Sequence, residues 1–216
     1  MKTIRRRPIR EQVYGRILDG LVSGAHPAGS KLRDTELATR LGVSRTPVRE
    51  TLLRLAHEGF LENPPGRGFL VRPLDRREVE DSYPILWSLE VLAVRLSAPY
   101  GGRAIGDLFR LSVEMGEAID EPSAAVAADT GWHGRLVAGC GNGRLLDMIG
   151  QVRALVRRYE YAYMRRADLA TGSLADHAAI IDALRGDDVD GAAALLERHW
   201  RRSLDAMLAV LREDAE

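Results

Sequence analysis

The chain has 216 residues, of which 45% are hydrophobic and 29% charged, a balance that suits one large soluble domain or two small ones. No apolar run approaches the roughly 18–20 residues of a membrane span, and the basic start "MKTIRRRPIREQ" is not followed by the apolar stretch of a secretory signal. The single cysteine, Cys140, cannot form an internal disulfide, which fits a reducing cytoplasm.

The net charge of zero hides an asymmetry. Residues 1–73 carry 14 Lys/Arg against 7 Asp/Glu, while residues 74–216 carry 17 against 24. Two domains are therefore expected, 1–73 and 74–216, and the basic first one has the charge of a phosphate-binding surface. Residues 1–9 read as a basic arm, with Lys2, Arg5, Arg6 and Arg7 followed by Arg10 at its end.

In chain order, residues 9–23 place Val13, Tyr14, Ile17, Leu18, Leu21 and Val22 at helical spacing. A loop follows, with Gly24, Pro27 and Gly29 as breakers. "RDTELATRLG" predicts a short helix capped by Asp34 or Thr35 and ended by Gly42. "VSRTPVRETLLRLAHEG" predicts a third helix. Ser44 is its N-cap, Pro47 lies in the first turn, Val48, Leu52 and Leu55 form its buried stripe, and Gly59 stops it. "FLENPPGRGFLVRP" reads as a β-hairpin, with Pro73 and Leu74 as a linker. From Asp75 on, helices are expected at about 75–98, 104–119, 122–139, 143–165, 173–185 and 188–212, with glycines or prolines at most joints. Pro84 should kink the first of these or shorten its start. The expected fold is mostly α: an N-terminal winged helix-turn-helix, three helices plus a β-hairpin wing, joined to an all-α bundle of six or seven helices.

The third helix carries the first functional signal. Arg45 and Arg49 are four apart and share a face, while the buried stripe occupies another. Arginine donates two bonds to guanine O6 and N7, and recognition helices read bases with their N-terminal residues. Ser44 and Thr46 can bond phosphates or bases, Arg33 precedes the second helix, and Arg67 stands between Gly66 and Gly68 at the hairpin tip. "LRDTELATRLGVSRTPVRETLLRLAHEGFLENPPGRGFLVRPL" resembles the winged helix of the GntR family of bacterial transcription regulators, and "LGVSRTPVRE" is close to that family's signature. The resemblance implies operator-DNA contacts for Arg33, Arg45, Thr46, Arg49 and Gly66.

The acidic half carries the second. Asp129 and His133 lie one helical turn apart in "DTGWH", and His177 and His199 fall on apolar faces of two later helices. One carboxylate and three imidazoles from three helices suit zinc or another borderline divalent metal, with nickel or manganese as alternatives. This half is similar to the all-helical FCD effector-binding domain of the FadR subfamily. The carrying features are "DTGWH", Gly141–Asn142, "HAAIIDAL", "GDD" and "RHW". The resemblance implies that Asp129, His133, His177 and His199 ligate metal. Many members carry an arginine four residues before the Glu of an "LE" pair, where it meets an effector carboxylate; here that position is Leu86. Arg153 matches another basic position, and Arg153, Asn142 and Tyr159 are the effector-contact candidates.

The function expected is that of a DNA-binding transcription regulator and not an enzyme: a metabolite-responsive, cytoplasmic repressor acting as a homodimer on a pseudo-palindromic operator, with a divalent metal and a small-molecule effector, an organic or sugar acid. One alternative keeps the DNA-binding role and makes the metal purely structural. Another is a metal-dependent enzyme with an accessory DNA-binding domain, against which no spare carboxylate or nucleophile shows catalytic spacing. No membrane association is expected.

Overall fold

The apolar stripe of the first helix does what its spacing predicts. In α1 (Ile9–Val22), Val13, Tyr14, Ile17 and Leu18 are buried and Leu21 is half-buried, while the Val22 side chain lies outside what the structure describes. The computed structural model describes residues 8–22 and 25–213, so Lys2, Arg5, Arg6 and Arg7 of the arm lie outside the described residues. The chain divides into two units, 1–74 and 75–216.

In the first unit α1 packs on α3 (Arg45–His57), which also packs on α2 (Asp34–Leu41). Val48, Leu52 and Leu55 of α3 are completely buried, as its stripe requires. Gly42 ends α2 in the left-handed conformation, at φ 66°, a position that favours glycine because it has no Cβ. One cap differs from expectation, and one is met in position though not in its side-chain bond. Arg33, not Asp34 or Thr35, is the extended residue before α2, and Ser44 precedes α3 in extended conformation without a capping bond from its side chain. Asp34 instead bonds to Arg45.

The wing is more than a hairpin. β2 (Leu61–Glu62) and β3 (Phe69–Val71) pair antiparallel, and β1 (Lys31–Leu32) adds to the other edge of β3, with Lys31 opposite Leu70 and Leu32 opposite Phe69. The loop reading of this stretch missed β1. Two residues show no alternation, so only the pairing with β3 defines the strand.

Among the described residues the second unit contains six helices: α4 (Arg76–Ser97), α5 (Gly102–Glu117), α6 (Pro122–Val137), α7 (Gly143–Met164), α8 (Ala167–Arg185) and α9 (Val189–Glu213). α4 packs on α9, α7 and α6; α8 packs on α9 and α5. The core is built from side chains such as Tyr83, Leu86, Trp132, Leu136, Ile180 and Leu196, all buried. Pro84 does not shorten α4, which starts at Arg76 with the Asp75 carboxylate accepting from the Arg77 N–H at 2.8 Å. α8 starts six residues earlier than its predicted 173, and Gly172 lies within it rather than at a joint. A Cβ at Gly172 would come within 3.2 Å of the Arg202 guanidinium, so the glycine marks a close side-chain contact inside the helix rather than a turn.

Candidate functional site: an exposed arginine face and a buried histidine centre

The start of α3 faces solvent. Arg33, Ser44, Arg45, Thr46, Arg49, Gly66 and Arg67 are all exposed. Arg45 and Arg49 share one side of α3 and, with Asp34, Thr46, Glu50 and Leu53, line a shallow concavity of about 250 Å³. Gly66 and Gly68, at φ 74° and 77°, bend the wing tip around Arg67. Arg33 with Glu36 at 2.7 Å and Arg10 with Glu50 at 3.0 Å form exposed ion pairs, while Arg45 bonds at 3.0 Å to the largely covered carboxylate of Asp34. Glu36 and Glu50, the partners in the exposed pairs, are weak competitors for these donors, since solvent-exposed pairs contribute little.

The helical unit holds a different arrangement. Asp129 and His133 come from α6, His177 from α8 and His199 from α9; all four are buried. Each imidazole offers one nitrogen within 4.8 Å of those of the other two. Asp129 Oδ2 lies 3.9 Å from His133 Nε2, and Asp129 Oδ1 lies 3.5 Å from His177 Nε2. The structure therefore brings together the three histidines, with Asp129 beside two of them.

Two carboxylates orient the rings. Glu90, on α4 and fully buried, has Oε2 2.9 Å from His133 Nδ1 and accepts there from Trp200 Nε1–H at 2.9 Å, while its Oε1 accepts from Arg153 Nε–H at 2.8 Å. Asp176 Oδ2 lies 3.1 Å from His199 Nδ1 and is paired with Arg202. The Trp132 ring stacks on His177, with centroids 3.7 Å apart and planes 3° from parallel. Burial pushes the His133 imidazole down to about 3, with Glu90 opposing, and pushes His177 well below its usual value. Both rings are therefore neutral at pH 7, and a neutral His133 donates from Nδ1 to Glu90 and turns its Nε2 lone pair inward. Burial opposes the charge on Glu90, yet Arg153 and His133 hold it well below the usual carboxylate range. Burial, assisted by Glu160, pushes Asp129 up to about 8.

These residues fit a divalent metal. His133 Nε2, both His177 ring nitrogens and Asp129 Oδ1 are buried with no hydrogen-bond partner, a costly state that coordination relieves. Neutral imidazoles whose far nitrogen is held by a carboxylate are characteristic metal ligands.

The effector-contact candidates do not converge. Arg153 adjoins the histidines through Glu90. The Asn142 side chain caps α7 by accepting from the Leu145 N–H at 3.1 Å. The Tyr159 hydroxyl lies 3.1 Å from both backbone N and O of Asp75, at the start of the helical unit. Leu86, standing where an arginine was expected, is completely buried. Glu90 and Asp176 are the residues that sequence reasoning missed as orienting groups. The only signals were the adjacency of Asp176 to His177 and the "LE" pair containing Glu90, which had served as a landmark only.

A winged helix presenting arginines, followed by an all-helical unit with a buried polar centre, has the make-up of a DNA-binding transcription regulator with a second, helical domain. Comparison with known proteins bears this out: residues 9–71 match the model of bacterial regulatory proteins of the gntR family and residues 81–202 match the FCD domain. The chain belongs to the GntR family of bacterial transcription regulators and carries an FCD domain, as the FadR subfamily does. It is 32% identical over 209 residues to a protein of Paenarthrobacter nicotinovorans described as "Probable D-xylose utilization operon transcriptional repressor", covering 95% of this chain and 91% of that one. It is 33% identical over 189 residues to the Nta operon transcriptional regulator of Aminobacter aminovorans, covering 85% and 87%. The fold is shared with E. coli McbR/YncC at a TM-score of 0.71 and 21% identity, over 94% of this chain and 98% of that one. The family and these relatives are transcription regulators, not enzymes. Among the described residues no helix is long and apolar enough to cross a membrane.

Proposed function

We propose that this regulator is a cytoplasmic repressor that binds a pseudo-palindromic operator as a homodimer and answers to a small organic or sugar acid through a metal-containing helical domain spanning 74–216. One observation carries the reading: the candidate residues separate into two groups, each in the setting its chemistry needs. Arg33, Ser44, Arg45, Thr46, Arg49, Gly66 and Arg67 of the winged domain, 1–73, are exposed, as phosphate and base contacts must be. His133, His177 and His199 are buried around a common point, with Asp129, also buried, beside His133 and His177. When bound there, a zinc ion (or nickel or manganese) supplies positive charge and any coordination position the four ligands leave open. Arg153 offers a cation near that position, while Asn142 and Tyr159 serve an effector only through rearrangement.

Dimerisation is supported by exposed apolar side chains on two helices that pack together: Ile85, Leu92 and Leu96 on α4 and Met148 and Leu155 on α7, each 42–51% exposed. A two-fold protein matches a two-fold operator. Light scattering on the purified protein should give twice the chain mass, and a monomer would overturn this part.

Metal analysis tests the centre. Wild type should hold about one metal per chain, and the double variant His177→Ala/His199→Ala should hold none; retained stoichiometric metal would overturn the ligand assignment. Operator affinity should fall steeply with salt.

A second reading keeps the DNA-binding role but makes the metal purely structural. The cavity beside the centre, lined by Tyr83, Asp129, Glu160, Ser173, His199 and Ser203 among others, measures only about 10 Å³, room for about one water. A thermal-shift screen of organic and sugar acids on metal-loaded protein separates the two. A shift that also changes operator affinity supports the first reading, and none across the screen supports the second.

A further inference from the structure

The winged domain contains an acid that DNA contact does not require. Asp34 is the first residue of α2, and its side chain is seated, only 14% exposed, between Arg45 and Arg49, which are 65% and 62% exposed. Its Oδ2 accepts from Arg45 Nη2–H at 3.0 Å and lies 3.7 Å from Arg49 Nη1. A single carboxylate oxygen thus faces both guanidiniums on the solvent side of α3. Hydrogen bonds from Arg45 and the Thr35 N–H hold this carboxyl below the usual range, so the charge is present at neutral pH. The neighbouring acids are engaged elsewhere, Glu36 with Arg33 and Glu50 with Arg10.

Two arginines one helical turn apart repel each other, and each side chain is long and rotamer-rich. A seated acceptor between them closes down that freedom. Arg45 still keeps the rest of its five N–H donors for a base edge. The same carboxylate also acts on every DNA sequence equally. Close to a duplex it repels phosphates, so it lowers the gain from using Arg45 and Arg49 as plain phosphate clamps.

We propose that Asp34 is a positioning residue for base reading: it aims Arg45 and Arg49 together at base edges and, by its own charge, weakens sequence-independent binding. The proposal rests on the assignment of Arg45 and Arg49 to DNA. It predicts opposite effects on two affinities, which a merely structural role does not produce.

The test uses the full-length protein. Wild type first enriches a duplex from a random library. Affinity is then measured for that duplex and for a scrambled duplex of equal length and composition, with wild type, Asp34→Asn, Asp34→Ala and Asp34→Glu. In the Asn and Ala variants the scrambled duplex should bind more tightly. The ratio of the two affinities should fall about tenfold, the scale of one lost bidentate base contact. Asp34→Glu should recover part of that ratio. In an Arg45→Ala background, Asp34→Asn should change it little. An unchanged ratio overturns the proposal, as does a parallel loss of both affinities. If wild type enriches no sequence, the DNA-reading assignment falls and takes this one with it. An enriched sequence with an unchanged ratio overturns the role of Asp34 alone.

Discussion

The two units use the same pairing of arginine with carboxylate in opposite ways. On the winged unit the pairs Arg33–Glu36 and Arg10–Glu50 face solvent. In the helical unit Glu90 is completely buried and Arg153 is 11% exposed, and they are tied to His133 and Trp200. Exposed pairs contribute about 0–1 kcal/mol, because water and side-chain entropy offset the attraction. Breaking a buried pair by removing one partner costs about 3–5 kcal/mol, because the other charge is stranded. Charges in the first setting are exchangeable, as a surface that trades its partners for DNA needs. Charges in the second are fixed, as a centre that must hold ring orientations needs.

The largest test of that contrast is Glu90→Ala. It removes the nearest partner of Arg153, leaving Glu160 at 3.8 Å, and releases His133, and should lower unfolding free energy by about 3–5 kcal/mol in urea titration. A loss near zero would erase the distinction between the units. Next in size is removal of the metal by a chelator. If free metal stands about 100-fold above its Kd, stability should fall by about 2.7 kcal/mol, and an unchanged denaturation curve would argue that no ion sits among the histidines. Arg45→Ala comes third and should act on a different quantity. Operator discrimination should drop by about 1–3 kcal/mol, with unfolding unchanged within about 0.5 kcal/mol. A large stability loss instead would show that Arg45 is structural. The smallest effect belongs to Arg110→Ala, which removes an exposed pair with Glu114 one turn along α5. The unfolding free energy should move by no more than about 0.5 kcal/mol; a larger change would mean that surface pairs in the helical unit are not exchangeable.

Much of the architecture was legible locally. Stripes such as Val48, Leu52 and Leu55 record which face of a helix is buried, and Gly42 and Gly59 mark helix ends by their positive φ. Where the reading failed, the deciding partner lay far along the chain. β1 is defined by its pairing with β3, Gly172 lies inside α8 against the Arg202 guanidinium, and Asp34 is already the first helical residue of α2, its carboxylate on Arg45.

The sequence by itself determined the winged helix followed by a helical domain, the exposed arginines of α3, and the four candidate donors Asp129, His133, His177 and His199. Helical period, capping residues and motif spacing are short-range properties that a linear string records. Tertiary structure alone decided the role of Glu90, which holds His133, Trp200 and Arg153 from positions 43, 110 and 63 residues away. It also set the Asn142 side chain on the Leu145 N–H and the Tyr159 hydroxyl on the Asp75 backbone. Such choices follow from which buried polar groups find partners when helices pack, and no local pattern in the chain encodes that pairing.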